Sequence, residues 1–366
     1  MTDSRFKLML MVVAFITAFA LSSAAKAERL TDLYTATWPV ASQSSSERAQ
    51  AIRNSLQQAL IRASGSRNVA RSPAVQSALA DAESYLRRYS YQRLSASEQM
   101  IYEKPLLLKA TFDKQSIVSL LKSASLPIWS EDRPAGLFWI AFDNGQERRI
   151  VSEQTQLMAA GLEIAAQSRG LPVTLPLVDI DDQMALETSD VWSRLETPIE
   201  AASKRYANDY WVAVSMSKET SQWQATWKVK LYGKVQSFST SGLTSYEAMQ
   251  GGVNRIADIL AGKLAVVLSD QAQEIMISVE NIIDFESYAS VQKFLNSLGM
   301  VRSASAIEVS QDRVLFKVES LTAPQSLIEA IKLGNNLQLS EPSYGYSNVG
   351  EQLTGDFHFV WRQPGL

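Results

Sequence analysis

Leu126-Pro127-Ile128-Trp129-Ser130-Glu131-Asp132-Arg133-Pro134-Ala135-Gly136-Leu137-Phe138-Trp139-Ile140-Ala141-Phe142 is the stretch on which the reading of the fold turns. Pro127 and Pro134 each fix φ and withhold a backbone donor, so no regular element runs through both, and the segment reads as a join between domains. Gly136 to Phe142 is a short, strongly apolar run with β-forming residues, which opens a new sheet.

Before the join, Glu28 to Val40 reads as an opening strand. A helix follows from Ser46 to Ser64, stopped by Gly65, with Ile52, Leu56, Ala59, Leu60 and Ala63 on one face. Pro73 starts a second helix with Val75, Leu79, Ala82 and Leu86 inward. Ser90–Leu94 and Gln99–Phe112 read as strands, and Asp113 caps a short helix through Leu121. These make an N-terminal α+β domain over 28–129.

After the join, a helix over Ser152–Ser168 ends at Gly170, and 179–206 is polar and mostly helical. Strands are expected at Tyr210–Met216, Gln222–Leu231 and Lys234–Thr240, then a long helix over Thr244–Leu268. This is a central α/β domain with a mixed sheet over 134–270. Residues 274–340 follow the order β-α-β-β-α-β, a ferredoxin-like unit. The tail, 341–366, offers Phe357–Trp361 as a candidate edge strand. The fold class is α+β, in three small domains.

The first residues carry a leader pattern: Arg5 and Lys7, an uncharged run from Leu8 to Leu21, then Ala25-Lys26-Ala27 as a cleavage site. The expectation is a signal peptide over 1–27, cleaved after Ala27, and a periplasmic protein. The apolar run is shorter than the roughly 20 residues of a spanning helix, so no stable membrane insertion of the mature chain is expected. With no cysteine to acylate, neither is a lipid anchor.

Three of the 35 basic residues and one of the 38 acidic ones lie in the leader, which leaves a net charge of −5. That mild acidity gives no footprint for nucleic acid. The absence of cysteine removes disulfides, thiol nucleophiles and thiolate metal sites.

Candidate sites are few. His358, the only histidine, would have to serve any histidine-based triad or zinc site; its Phe357-His358-Phe359 alternation places it on the polar face of a strand. Asp179, Asp181 and Asp182 are spaced to share a hard cation, or else to cap helices in a solvated turn. Gly251-Gly252 lies inside a helical pattern, where close helix packing is the plain reading, and there is no phosphate-binding loop. No cofactor is expected. Trp192, Trp211, Trp223 and Trp227 fall in the central domain and are read either as a partner- or carbohydrate-binding platform or as sheet core. Arg87, Arg88 and Arg93 with Tyr85, Tyr89 and Tyr91 form a basic, aromatic stretch suited to an acidic partner, or a solvated element end.

Several segments resemble an uncharacterised family of exported proteobacterial proteins, domain of unknown function 2066. They are Arg62-Ala63-Ser64-Gly65-Ser66, Tyr89-Ser90-Tyr91, Leu126 to Trp129 with Arg133-Pro134, Arg169-Gly170-Leu171-Pro172-Val173, and Arg205-Tyr206 with Trp223 to Trp227. The central domain, with its Ala207-Asn208-Asp209-Tyr210 step, is similar to the periplasmic domains of curli-secretion-type proteins and penicillin-binding-protein activators. That likeness implies a non-enzymatic binding or assembly module that contacts other envelope proteins, with homo-oligomers open. A glycan-binding or glycan-acting protein using the tryptophans and carboxylates is the first alternative. A secretion or flagellar ring subunit is the second.

Overall fold

The computed structural model describes residues 33–143, 145–206, 208–231, 233–269, 271–333, 337–340 and 355–362. The leader and its cleavage site lie outside them. The fold is α+β, built on three sheets.

The first sheet is antiparallel, in the order β1 (Thr35–Val40), β3 (Leu106–Phe112), β2 (Leu86–Arg93). Helix α1 (Ser45–Ser64) packs its apolar stripe on it. Its N-cap is Ser44, whose hydroxyl accepts from Glu47 N, and Gly65 ends it at φ 72°. The short α2 (Pro73–Ala80) buries Val75 and Ala78. The strand expected over 99–112 begins only at Leu106. Ser95 and Glu98 form a reciprocal capping box, which turns Ala96–Tyr102 into helix α3. Asp113 caps α4 (Lys114–Ser123) as expected, accepting from Ser116 N.

The second sheet is mixed, in the order β5 (Arg148–Ile150), β4 (Gly136–Asp143), β7 (Tyr210–Glu219), β8 (Gln222–Leu231), β9 (Lys234–Gly242), with β6 (Val173–Thr174) also on β4. β4 and β7 run parallel, and β7 to β9 form an antiparallel meander. One face is covered by α5 (Gln156–Arg169) and α9 (Ser245–Leu264). The other carries the short helices α6 (Ile180–Ala185), α7 (Thr188–Ser193) and α8 (Glu196–Ser203). β4 is therefore buried on both faces, which explains its unbroken apolar run.

The third sheet has the order β11 (Val301–Ser310), β12 (Arg313–Ser320), β10 (Gln273–Glu280), β14 (Phe357–Trp361), β13 (Leu337–Ser340), with α10 (Phe285–Ser297) and α11 (Pro324–Leu333) as its helices. The ferredoxin-like order is present but opened. β14 is not an edge strand: it lies between β10 and β13, parallel to the first and antiparallel to the second. Phe359 and Trp361 are buried in the core, and that burial is why the strand sits inside.

Candidate functional site

Segments far apart in sequence meet at one buried node between the first two units. Helices α1 and α5 both end there, each on a left-handed glycine, Gly65 and Gly170. A Cβ on Gly65 would fall 2.4 Å from that of Ala261 on α9; one on Gly170 would fall 2.7 Å from Arg133 Nη1. Only glycine permits both this backbone and this approach.

Arg133, 1% exposed, fills the gap. Its Nη1 donates to the carbonyls of Arg169 (3.0 Å) and Gly170 (2.8 Å), its Nη2 to that of Arg62 (2.6 Å), and its Nε to that of Ser130 (3.0 Å). The guanidinium lies 3.9 Å over the Trp129 ring. No carboxylate is among these contacts. The charge is met by the carbonyl ends of two helices and by a π face, both sites of negative potential. Burial, with repulsion from Arg62, pulls the Arg133 pKa well below its usual value.

Two further arginines complete the weld. Arg62 Nη1 donates to Thr35 O on β1. Arg169 Nη2 donates to Gly65 O and Asp258 Oδ1, both 2.8 Å, and its Nη1 reaches Asn254 Oδ1 at 3.0 Å. Arg67 holds the other oxygen of Asp258 at 2.6 Å. Ile128 and Val266 form an isolated antiparallel bridge, and Trp129 N donates to Ala63 O. Asp209 Oδ2 accepts from Ala135 N at 2.7 Å and so fixes the start of β4.

Beside this node, between the two units, is a cleft of about 440 Å³, within the usual range for small-ligand sites. β1 contributes Trp38, and α1 contributes Asn54, Gln57 and Gln58. α3 ends in Tyr102 on its wall, and α9 presents Tyr246, Gln250 and Asn254 at helical spacing. Burial pushes the Tyr246 hydroxyl up to about 12 and raises that of Tyr102, with smaller effects on Tyr102 from Tyr246 and Glu98. Among the described residues lining the cleft none is an acid, a lysine or a histidine. Two buried polar atoms of lining side chains have no partner: the Gln58 Oε1 acceptor and the Arg169 Nε donor. Sequence reasoning missed this cleft. Its amides are spread over helices that read only as amphipathic, and nothing in a one-dimensional pattern shows that two helix faces meet.

The residues singled out from sequence are placed elsewhere. Trp227 is fully buried, stacked on Phe238 at 5.9 Å and donating to Thr240 Oγ1 at 2.8 Å. Gly252 of α9 is glycine because a Cβ there would meet the indole at 2.0 Å. Trp211 is buried on the opposite face of the sheet. These two are core, so the platform reading is corrected for them. Trp223 and Trp192 are half-buried, the latter under Arg148 at 4.1 Å. Arg87, Arg88 and Tyr89 are exposed on β2, an outer strand of the first sheet, with Tyr91 half-buried and edge-on to Tyr89 at 6.0 Å. They share no site with the tryptophans.

The aspartates find a partner within the chain. Arg205 donates to Asp179 (2.6 and 2.9 Å) and Asp182 (3.0 Å) and lies 3.6 Å from Asp181. Tyr206 Oη donates to Asp182 at 2.5 Å, and Asp179 caps α6. The Arg205 hydrogen bond, reinforced by the Asp182 amide, lowers Asp179 to about 2. No group of acids and histidines able to hold a metal occurs among the described residues. His358 pairs across from Ser278 and Ser340, on the face opposite Phe359.

With this geometry established, comparison with known proteins adds kinship at one end. Residues 27–130 match a family described as a domain of unknown function (DUF8605). That match is to an uncharacterised family and covers the first unit alone; the number differs from the one the sequence segments suggested. No curated protein matches. A solved structure titled "Crystal structure of uncharacterized protein" is 8% identical, covering 36% of this chain and 88% of its own, with a TM-score of 0.14; at that score it carries no argument. No described helix is long and apolar enough to cross a membrane.

Proposed function

We propose that this chain is a non-enzymatic binding module of the bacterial cell envelope, acting in the periplasm and holding a segment of another envelope protein. The observation that carries this reading is the cleft between the first two units, walled by Trp38, Gln57, Tyr246 and Gln250 and set beside the arginine node. The arginine weld supports the same reading, because a rigid frame lowers the ordering cost of binding. The sequence resemblance of the central domain to envelope-protein binding domains agrees with it, as an analogy only.

Complementation of a deletion strain tests it, with abundance checked by immunoblot. Trp38→Ala and Gln58→Leu are expected to impair function at normal abundance, whereas His358→Ala and Asp181→Ala leave it intact. A single carboxylate variant that abolishes function at normal abundance, with the cleft variants unaffected, replaces this reading with an enzyme.

A further inference from the structure

We propose that the outer edge of β2 takes an extended, acidic segment of a partner protein as an added strand. β2 ends the first sheet, and apart from β3 no described residue hydrogen-bonds its backbone. Alternate residues therefore turn an N–H and a C=O outward, which a strand laid alongside would satisfy. After a bulge at Arg87, the register with β3 runs unbroken from Arg88 opposite Thr111 to Arg93 opposite Leu106, the length of an ordinary strand.

Charge says what the added strand carries. Residues 28–129 hold 13 basic and 8 acidic side chains, a net charge of +5, whereas 130–366 hold 19 and 29, a net charge of −10. The first unit is the basic part of an acidic chain. On β2 the cations fall on both faces. Arg88 shares one face with Lys109, which stands opposite Ser90 on β3. Arg93 shares the other with Tyr91 and Tyr89, and Arg48 lies 5.8 Å over the Tyr89 ring. Among the described residues the side chains of Arg88, Arg93 and Lys109 have no hydrogen-bond or ion-pair partner. Directly opposed residues share a face, so an antiparallel guest places one carboxylate opposite Arg88, a second opposite Arg93, and β-branched side chains opposite Tyr89 and Tyr91.

A second copy of β2 is a poor guest, because it crowds the arginines of both copies along one seam. An anionic membrane surface would use the same charges but leave the outward backbone groups unmet, so the open edge favours the peptide. The surface is separate from the cleft: β1, which brings Trp38 to the cleft wall, is the opposite edge of this sheet.

The test titrates the mature chain with a capped hexapeptide that has glutamate at each end and threonine and valine alternating between. The same peptide ended in lysine, and phosphatidylglycerol vesicles, are titrated separately. The glutamate peptide is expected to bind, more weakly as salt is raised, and to slow hydrogen exchange of amides within 88–93; the lysine peptide is not. Arg88→Glu with Arg93→Glu should weaken the glutamate peptide about tenfold and admit the lysine peptide. The melting temperature should hold, since both arginines are exposed. Peptide binding indifferent to the charge reversal overturns the placement on β2, and binding without slowed exchange overturns the added strand. Vesicle binding without peptide binding replaces the peptide by a membrane surface. No binding of any probe overturns the inference and leaves the reading of the cleft untouched, because the cleft variants lie elsewhere.

Discussion

Replacing Arg133 by Met removes the cation at the node while keeping an apolar stem of similar reach. The carbonyls of Arg62, Arg169 and Gly170 then lose their donors in a place where the side chain is 1% exposed. An orphaned buried acceptor costs about 1 kcal/mol or more, and the stacked cation over Trp129 contributes about another 1 kcal/mol. Relief of the buried charge and of its repulsion with Arg62 offsets part of this. The net loss is about 3 kcal/mol. For a cooperative body of this size that is a fall of roughly 6–12 °C in melting temperature. Arg133→Lys does not rescue it, because a point charge cannot reach carbonyls on two helix ends at once. Scanning calorimetry on the mature chain reads both variants. A melting temperature within about 2 °C of wild type would refute the claim that this cation joins the two units.

Other positions give independent checks. Gly252→Ala sets a methyl 2.0 Å from the enclosed Trp227 ring, so a loss of about 1–3 kcal/mol is expected by chemical denaturation. A fragment of 271–340 lacks β14 and with it two buried aromatics, Phe359 and Trp361, worth about 3–5 kcal/mol each. It is expected to give a disordered proton spectrum, whereas 271–366 gives a dispersed one. The pKa of Asp179, near 2 in the fold, lies below the value of about 3.9 for a free aspartate. Its stabilising contribution is whole above that unfolded value and disappears as pH falls toward 2. Carboxyl carbon NMR should show Arg205→Met raising this pKa.

The chain's punctuation was legible because it is local. Gly65, Gly170 and the Asp113 cap each act on their own few residues and mark element ends, and Pro127 and Pro134 lie in the connection between α4 and β4. The capping box at Ser95 was equally local and still missed, because the apolar run that follows it resembled a strand. Phe357–Trp361 reads as an edge strand because a five-residue segment carries no sign of its neighbours; its pairing with both β10 and β13, with Phe359 and Trp361 buried, makes it internal. The Arg62, Arg133 and Arg169 segments were visible as motifs. Their common purpose was not, since they lie 36 to 107 positions apart and their partners are backbone carbonyls, which every residue has. For the same reason the tryptophans were ambiguous: residue type sets the area an indole can bury, and topology decides what buries it.

The proposed seat of a partner protein is the cleft between the first two units. Photo-crosslinking in intact cells tests it most directly, with a photoreactive residue placed at Asn54, Gln57 or Gln250 and, for comparison, at Arg302 on β11. One discrete adduct is expected, shared by the three cleft positions, absent at Arg302 and lost when Trp38→Ala is added. Adducts that form at Arg302 and not at the cleft, in cells where the chain is functional, would contradict it.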